Sequence, residues 1–270
     1  MDYSPDICGP LAYNLCMARR DYLSTKDIAS STGVHPNTVR LYEKWGLLPP
    51  VRRSPAGYRQ FTQLHLAQMQ LARLALRGPF PGRVIRRSAT ALVRRSASSD
   101  LGGALEQAYQ HLVTVQSELA HAETAVVLLQ RWADGAAADA TQTSLHIGQA
   151  AALLQVTTDA LRNWERNGLI QVPRQAHNRY RVYHGQEIGR LRVIRMLRSA
   201  GYSTMAILRM MLHMQAGQPG DLRQVLDTPR PDEDVYSAAD RWLSTLSEQE
   251  ARALQIIAHL EEMIRIQASA

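Results

Sequence analysis

The sequence predicts a mainly α-helical chain: two winged helix-turn-helix domains, each followed by a long helix, with the two long helices pairing as an antiparallel coiled coil. Three observations predict it. The first is an internal repeat. Displaced by 122 residues, the segment from Leu23 to Phe80 lies on that from Leu145 to Tyr202 without a gap. Arg40 falls on Arg162, Glu43 on Glu165, Gly46 on Gly168, Tyr58 on Tyr180 and Arg59 on Arg181. A gapless match of that length means one structural unit used twice. The second is composition. Aromatic residues are 6% of the chain and Phe occurs only twice, so the cores are built from Leu, Ala, Val, Ile and Met, which suits helices. The third is a seven-residue recurrence of apolar residues after each repeat, the mark of a helical seam.

The expected order is an N-terminal extension (1–20), a first winged domain (21–97), a coil helix (100–133), a linker rich in Ala and Gly (134–143), a second winged domain (144–216) and a second coil helix (233–267). A length of 270 residues fits two ordinary domains, and 45% apolar residues supply their cores. No window holds the roughly 18 uncharged apolar residues of a membrane span. An N-terminus with Asp2 and Asp6 lacks the basic start of a secretory signal. Cys8 and Cys16 are the only cysteines, too few for a disulfide framework or a metal set. The expectation is a cytoplasmic, reduced protein without a cofactor.

The net charge of +7 alternates along the chain. Residues 21–95 hold 13 basic and 3 acidic side chains, and residues 144–211 hold 10 and 3, whereas residues 96–143 and 212–270 each come to −5. Two basic blocks suit two contacts with a polyanion, whose counterions are released on binding. A pair of solvated arginine-rich surfaces is the competing reading.

In the first copy, Ser24 or Thr25 caps a helix that turns Ile28 and Ala29 inward. Gly33 ends it, since a tight helix–helix turn needs a residue free to take positive φ. Pro36 suits the first turn of the next helix, which runs through Val39, Arg40 and Tyr42 to about Trp45 and closes at Gly46. Two short helices on a tight turn are a helix-turn-helix, whose second helix presents its first residues to the major groove. Leu47-Leu48-Pro49-Pro50 is extended. Val51 to Arg53 and Tyr58 to Phe61 read as short strands around the turn Ser54-Pro55-Ala56-Gly57. This small hairpin, or wing, bears arginines suited to phosphate. Helices follow from Leu64 to Arg77 and from Pro81 to Arg95. The second copy repeats the order, with helices from Ile147 to Leu154 and from Thr158 to Arg166, turns at Gln155 and Gly168, and a wing from Arg174 to Tyr183.

Leu105, Leu112, Leu119 and Val126 recur every seven residues, with Ala108, Val115, Ala122 and Leu129 three positions later. Leu243, Leu246, Ala253, Ile257, Leu260 and Ile264 form a shorter seam interrupted by Glu250. Pairing of the two seams competes with packing of each onto its own domain.

The stretch Thr38-Val39-Arg40-Leu41-Tyr42-Glu43-Lys44-Trp45-Gly46-Leu47-Leu48-Pro49-Pro50 resembles the recognition-helix signature of the MerR family of bacterial regulators. Ser54-Pro55-Ala56-Gly57-Tyr58-Arg59-Gln60-Phe61 resembles its wing. The resemblance implies a double-stranded promoter operator as partner and RNA polymerase as the machine regulated, through distortion of the promoter DNA. It places Asn37 and Arg40 on the recognition helix, Tyr42 near the DNA backbone, and Arg52, Arg53, Tyr58 and Arg59 in the wing. In the second copy it points to Thr158, Asp159, Arg162 and Trp164 on the helix and to Arg174, Gln175, Arg179, Tyr180 and Arg181 in the wing. The copies depart in three places. Asp159 replaces Asn37; it repels phosphate and accepts from a cytosine amino group. Trp164 lacks the hydroxyl of Tyr42. Arg179 replaces Gly57, which adds a cation and bears on the turn. The competing structural readings are that Arg40 and Arg162 pair with Glu43 and Glu165 within their helices, and that Tyr58 and Tyr180 pack the wing onto the helices.

Trp132 and Trp242 lie beside the two seams and approach each other in an antiparallel arrangement. With Tyr109, Tyr236 and Met263 they are candidates to line an apolar pocket for a small organic effector, against ordinary aromatic packing at a coil end. No Gly-rich phosphate loop, nucleophile–base pair or metal motif argues for an enzyme. Three function classes remain: a promoter-distorting regulator acting as a single-chain monomeric pseudo-dimer, an architectural or excisionase-like DNA-bending protein, and a ligand-sequestering protein that has lost DNA binding. Intact Arg40, Arg59, Arg162 and Arg181 speak against the last.

Overall fold

The computed structural model describes residues 22–78, 80, 82–134, 144–217, 220–229 and 238–268. The N-terminal extension, residues 135–143 of the linker and Tyr236 lie outside them. In chain order the elements are α1 (Thr25–Thr32), α2 (Pro36–Lys44), β1 (Arg52–Arg53), β2 (Arg59–Gln60), α3 (Gln63–Leu76), α4 (Gly82–Ala97), α5 (Leu101–Ala133), α6 (Ile147–Leu153), α7 (Thr158–Arg166), α8 (Gly185–Ser199), α9 (Thr204–Gln215), α10 (Leu222–Asp227), a 3-10 turn (Ala238–Arg241) and α11 (Trp242–Ala268). The chain forms two compact units, one of residues 1–78, 82–113 and 251–270, the other of residues 79–81 and 114–250.

In the first unit Ser24 and Asp27 cap α1 reciprocally. Ser24 Oγ accepts from the Asp27 N–H at 3.2 Å, and the Asp27 carboxylate accepts from the Ser24 N–H at 2.8 Å. Gly33, at φ +63°, turns the chain into α2. The wing pairs Arg52 with Gln60 and Arg53 with Arg59, and a bridge between Leu23 and Phe61 stitches it to the start of the module. Leu23, Ile28, Val39, Leu48, Phe61 and Met69 close one small core. A second core joins Leu71, Leu92 and Val93 to Leu101, Ala104 and Ala108 of α5 and to Ile256, Leu260 and Met263 of α11.

Gln68, fully buried, sits where these parts meet. Its Nε2 donates to the Leu47 and Val93 carbonyls, both at 3.0 Å, and its Oε1 accepts from Ser96 Oγ at 2.6 Å. Gln68→Leu strands two carbonyls and a hydroxyl. A loss of roughly 2–4 kcal/mol is expected in urea denaturation of the full chain; a change below about 0.5 kcal/mol would count against this network as a determinant of stability.

His111 of α5 is also buried, its Nδ1 2.7 Å from Ser88 Oγ. Burial holds its pKa below the ordinary 6.5, and burial does the same for His65. As pH falls below about 6.5 the unfolded chain therefore takes up protons that the fold resists, and stability drops. The urea midpoint should fall between about pH 7.5 and about pH 5.5. His111→Asn should flatten that fall, and an unaltered slope would assign it to other groups.

The second unit repeats the module with substitutions at its turns. Gly168 (φ +75°) matches Gly46 (φ +68°), but Gln155 (φ +50°) stands where Gly33 does and Arg179 (φ +62°) where Gly57 does. Leu145 bridges Tyr183 as Leu23 bridges Phe61. The wing is reduced to one bridge, Arg174 with Arg181. By the repeat Arg174 corresponds to Arg52, whose partner in the first wing is Gln60, so the second hairpin is shifted by one position. Its loop is closed by the Gln175 N–H on the Tyr180 carbonyl at 2.9 Å, against Ser54 on Tyr58 at 2.8 Å, and encloses one residue more.

The sequence reading did not include α10 or the 3-10 turn. Both are fastened by Arg209, 3% exposed, which donates to the carbonyls of Val225 (2.6 Å), Leu226 (3.0 Å) and Asp240 (3.2 Å). Directly after it α11 begins at Trp242; residues 233–237, expected at the start of the second coil helix, lie outside the described residues. Trp242 Nε1 donates to the Ala200 carbonyl at 2.7 Å, and its ring lies over Gly201, which has φ +96°.

The buried stripe of α5 is rotated from the expected one. Ala108, Val115, Ala122 and Leu129 are buried as expected, but Ala104, His111 and Ala125 fill the alternate positions while Leu105, Leu112 and Leu119 are half-buried. The stripe is wider than a two-position seam, and alanines make up much of it. On α11 the interruption is Gln249, which is buried, and not Glu250. In the first unit Tyr109 Oη donates to Glu261 at 3.4 Å; in the second, Gln116 Nε2 donates to Glu250 at 2.9 Å.

Of the residues expected to line an effector pocket, Tyr109 and Met263 belong to the first unit and Trp132 and Trp242 to the second, and Tyr236 lies outside the described residues. Trp132 lies against Gly189 near the start of α8, whereas Trp242 lies against Gly201 beyond its end, roughly 18 Å of helical rise away. Met263 is core of the first unit, and Tyr109 is half exposed beside Glu261. Trp132 and Trp242 each pack against a glycine of their own unit.

Candidate nucleic-acid interface

Each module sets a short amphipathic helix beside a wing. His35 Nδ1 caps α2 by accepting from the Asn37 N–H at 3.2 Å, and Pro36 begins the helix. Val39 is fully buried, which leaves Asn37, Arg40, Leu41 and Lys44 on the outer face. In α7, Thr157 Oγ1 caps by accepting from the Ala160 N–H at 3.1 Å; Leu161 and Trp164 are buried, and Asp159 and Arg162 face outward.

Two side-chain pairs recur in both modules. Near the helix start, Arg40 Nη1 donates to Asn37 Oδ1 at 3.1 Å, and Arg162 Nη1 donates to Asp159 Oδ1 at 2.8 Å. Near the helix end, Arg59 Nε donates to Glu43 Oε2 and Arg181 Nε to Glu165 Oε2, both at 2.6 Å. The glutamates therefore hold the wing arginines and not Arg40 and Arg162. These latter pairs are half-buried, with side-chain exposures of 19–27%. An ion pair of that kind adds little net stability but fixes geometry, here the angle between wing and helix. In the second module Arg174 also reaches Glu165, at 3.4 Å.

Between helix and wing lies a concavity in each module. The first, of about 690 Å³, is lined by Asn37, Arg40, Leu41, Glu43, Lys44 and Arg59. The second, of about 610 Å³, includes Arg162, Arg174, Arg179, Tyr180 and Arg181. Tyr58 and Tyr180 are 75% and 64% exposed, so they do not pack the wing onto the helices. Tyr42 touches both cores of the first unit, with its ring 6.2 Å from that of Trp45. Trp164, a DNA-interface residue by the resemblance, faces inward at 9% exposure and shares the inner side of α7 with Leu161, three residues earlier. Thr158 is half-buried at the first position of α7.

Sequence reasoning overlooked Glu43 and Glu165 as clamps, along with Lys44. The signal was present, because a glutamate sixteen residues before a wing arginine occurs in both copies.

No described helix is long and apolar enough to cross a membrane. A family model described as MerR HTH family regulatory protein matches residues 23–91 and 145–214, just over half of the chain. The HTH-type transcriptional regulator CueR of Salmonella typhi is 42% identical over 53 residues, which are 20% of this chain and 38% of that protein. The HTH-type transcriptional regulator CueR of Escherichia coli O157:H7 has the same identity over the same length, 39% of its own. The chain thus spans less than two-fifths of these curated relatives. No solved structure matches it. The family match falls twice, on the two segments whose geometry repeats, and the chain belongs to the MerR family of helix-turn-helix, DNA-binding transcription regulators.

Proposed function

We propose that one chain grips one operator with both modules, as a pseudo-dimer with built-in approximate two-fold symmetry, and distorts the promoter DNA to control RNA polymerase. The observation that carries this reading is the recurrence, 122 residues apart, of the same outward pair and the same wing clamp. Most helix-turn-helix proteins obtain two half-sites by dimerising. Here Asn37 and Arg40 serve one half-site and Asp159 and Arg162 the other. Tyr58, Tyr180, Arg52 and Arg53 meet phosphates, and Arg59 and Arg181 act chiefly by holding the wings in place. Antiparallel pairing of α5 with α11 joins the halves. It is supported by the core shared between the start of α5 and the end of α11 in the first unit, and by the Gln116–Glu250 bond in the second. Asp159 carries only acceptors, so the second half-site favours a base with a major-groove amino group and the operator is not a palindrome.

The test uses the full chain and duplex DNA from upstream of its own gene, delimited by footprinting. Native mass measurement should find one chain per operator at every dilution, since joining the modules is intramolecular. Affinity should fall steeply with salt. A stable homodimer on the operator, or salt-insensitive binding, defeats the proposal. In vitro transcription separates a regulator of polymerase from an architectural or excisionase-like protein, which would bend the DNA without altering transcript levels.

A further inference from the structure

We infer that Arg179 is a phosphate anchor of the second wing, kept in a left-handed backbone conformation to supply a cation free of the Glu165 clamp. The inference rests on the operator-binding reading above.

The two wings differ in where their free charge lies. In the first, Arg52 and Arg53 are exposed and neither has an acidic partner among the described residues; Arg53 donates only to the Gly57 carbonyl, at 3.1 Å. In the second, Arg174 takes the place of Arg52 but pairs with Glu165, and Gln175 takes the place of Arg53. Arg181, like Arg59, is clamped by Glu165. One glutamate thus holds two wing arginines, and the first strand keeps no cation without an acidic partner. What the second wing gains is Arg179 at its turn, exposed, with no acidic partner among the described residues, in the concavity that also holds Arg162 and Tyr180.

That position has φ +62°, and the equivalent Gly57 has φ +82°. Glycine adopts this conformation freely, whereas a residue with a Cβ is strained there. Strained residues cluster where their geometry serves a function, and here the strain coincides with an exposed cation. The second turn has not been rebuilt to avoid positive φ. It keeps the glycine conformation and carries an arginine in it, where a guanidinium projects from the tip of the hairpin toward the DNA backbone that the first wing reaches with Arg52 and Arg53.

The consequence is a pair of effects with opposite signs. In the full chain, Arg179→Gly should raise the Tm by about 2–4 °C, because the strain is relieved. It should also weaken operator binding by about three- to tenfold near 0.1 M salt and reduce the salt slope by about one. Arg179→Lys should keep the slope and the wild-type Tm. Gln155→Gly, at the second module's other turn with a positive-φ side chain, should raise the Tm alone. If wild type binds the footprinted duplex with steep salt dependence but Arg179→Gly leaves affinity and slope unaltered, the inference is wrong and the operator-binding reading stands. If wild type shows no such binding, the underlying reading fails. A drop in Tm for Arg179→Gly would also overturn the inference, since the arginine would then be stabilising its turn.

Discussion

Gly201→Ala is expected to cost the second unit roughly 3 kcal/mol or more, one of the two largest effects anticipated here. Two causes add. At φ +96° the backbone is in a region that L side chains rarely adopt. A Cβ built there falls 2.3 Å from the Trp242 ring, and that ring cannot easily withdraw, because it is buried and its Nε1 is bonded to the Ala200 carbonyl at 2.7 Å. The substitution must therefore shift the start of α11 or break that bond. Urea denaturation with tryptophan fluorescence reads both outcomes. Wild-type stability with an unmoved emission maximum would mean that the close approach of Gly201 to Trp242 is not needed.

The second large effect is on DNA. Arg40→Ala and Arg162→Ala should each weaken operator binding by roughly 10–100-fold, the usual cost of losing a base-contacting arginine. The two losses should be unequal. Removing Arg162 leaves the Asp159 carboxylate without its 2.8 Å partner, facing a polyanion, whereas removing Arg40 leaves only the neutral amide of Asn37. Arg162→Ala is therefore the more damaging. In the double variant the losses should multiply, since two modules on two half-sites are independent. Anisotropy titrations at fixed salt decide the matter. A double variant no weaker than the worse single would show that only one module engages DNA at a time.

Much of this was legible in the sequence because it depends on local chemistry repeated twice. Pro36 and Gly46 bracket α2, Thr158 to Arg166 form α7 as read, and the gapless offset carried the bridge from Leu23 and Phe61 to Leu145 and Tyr183. What escaped depends on contacts between distant positions. No periodicity says that Glu43 reaches Arg59 and not Arg40 on its own helix. The seven-residue recurrence predicts Leu105 and Leu112 in the seam, but Ala104 and Ala125 are buried while Leu105 and Leu112 are only half-buried. The expected approach of Trp132 to Trp242 is not seen, for a similar reason. Trp132 and Trp242 sit beside seams in the sequence, yet each is taken up by a glycine at a different end of α8. Helix α10 is short, and what secures it is a buried arginine, a residue that is normally expected outside.

The extra residue in the second hairpin limits how the two readers can be interchanged. The return strand keeps its facing, with Tyr180 exposed like Tyr58 and Arg181 clamped like Arg59, but on the first strand Gln175 is half-buried where Arg53 is exposed. Point changes that convert Gln175 to arginine and Arg179 to glycine would copy the chemistry of the first hairpin onto a frame that presents it differently. An engineer seeking a symmetric variant for a palindromic target would have to transplant the whole ribbon, residues 51–60 in place of 173–182, as a single cassette.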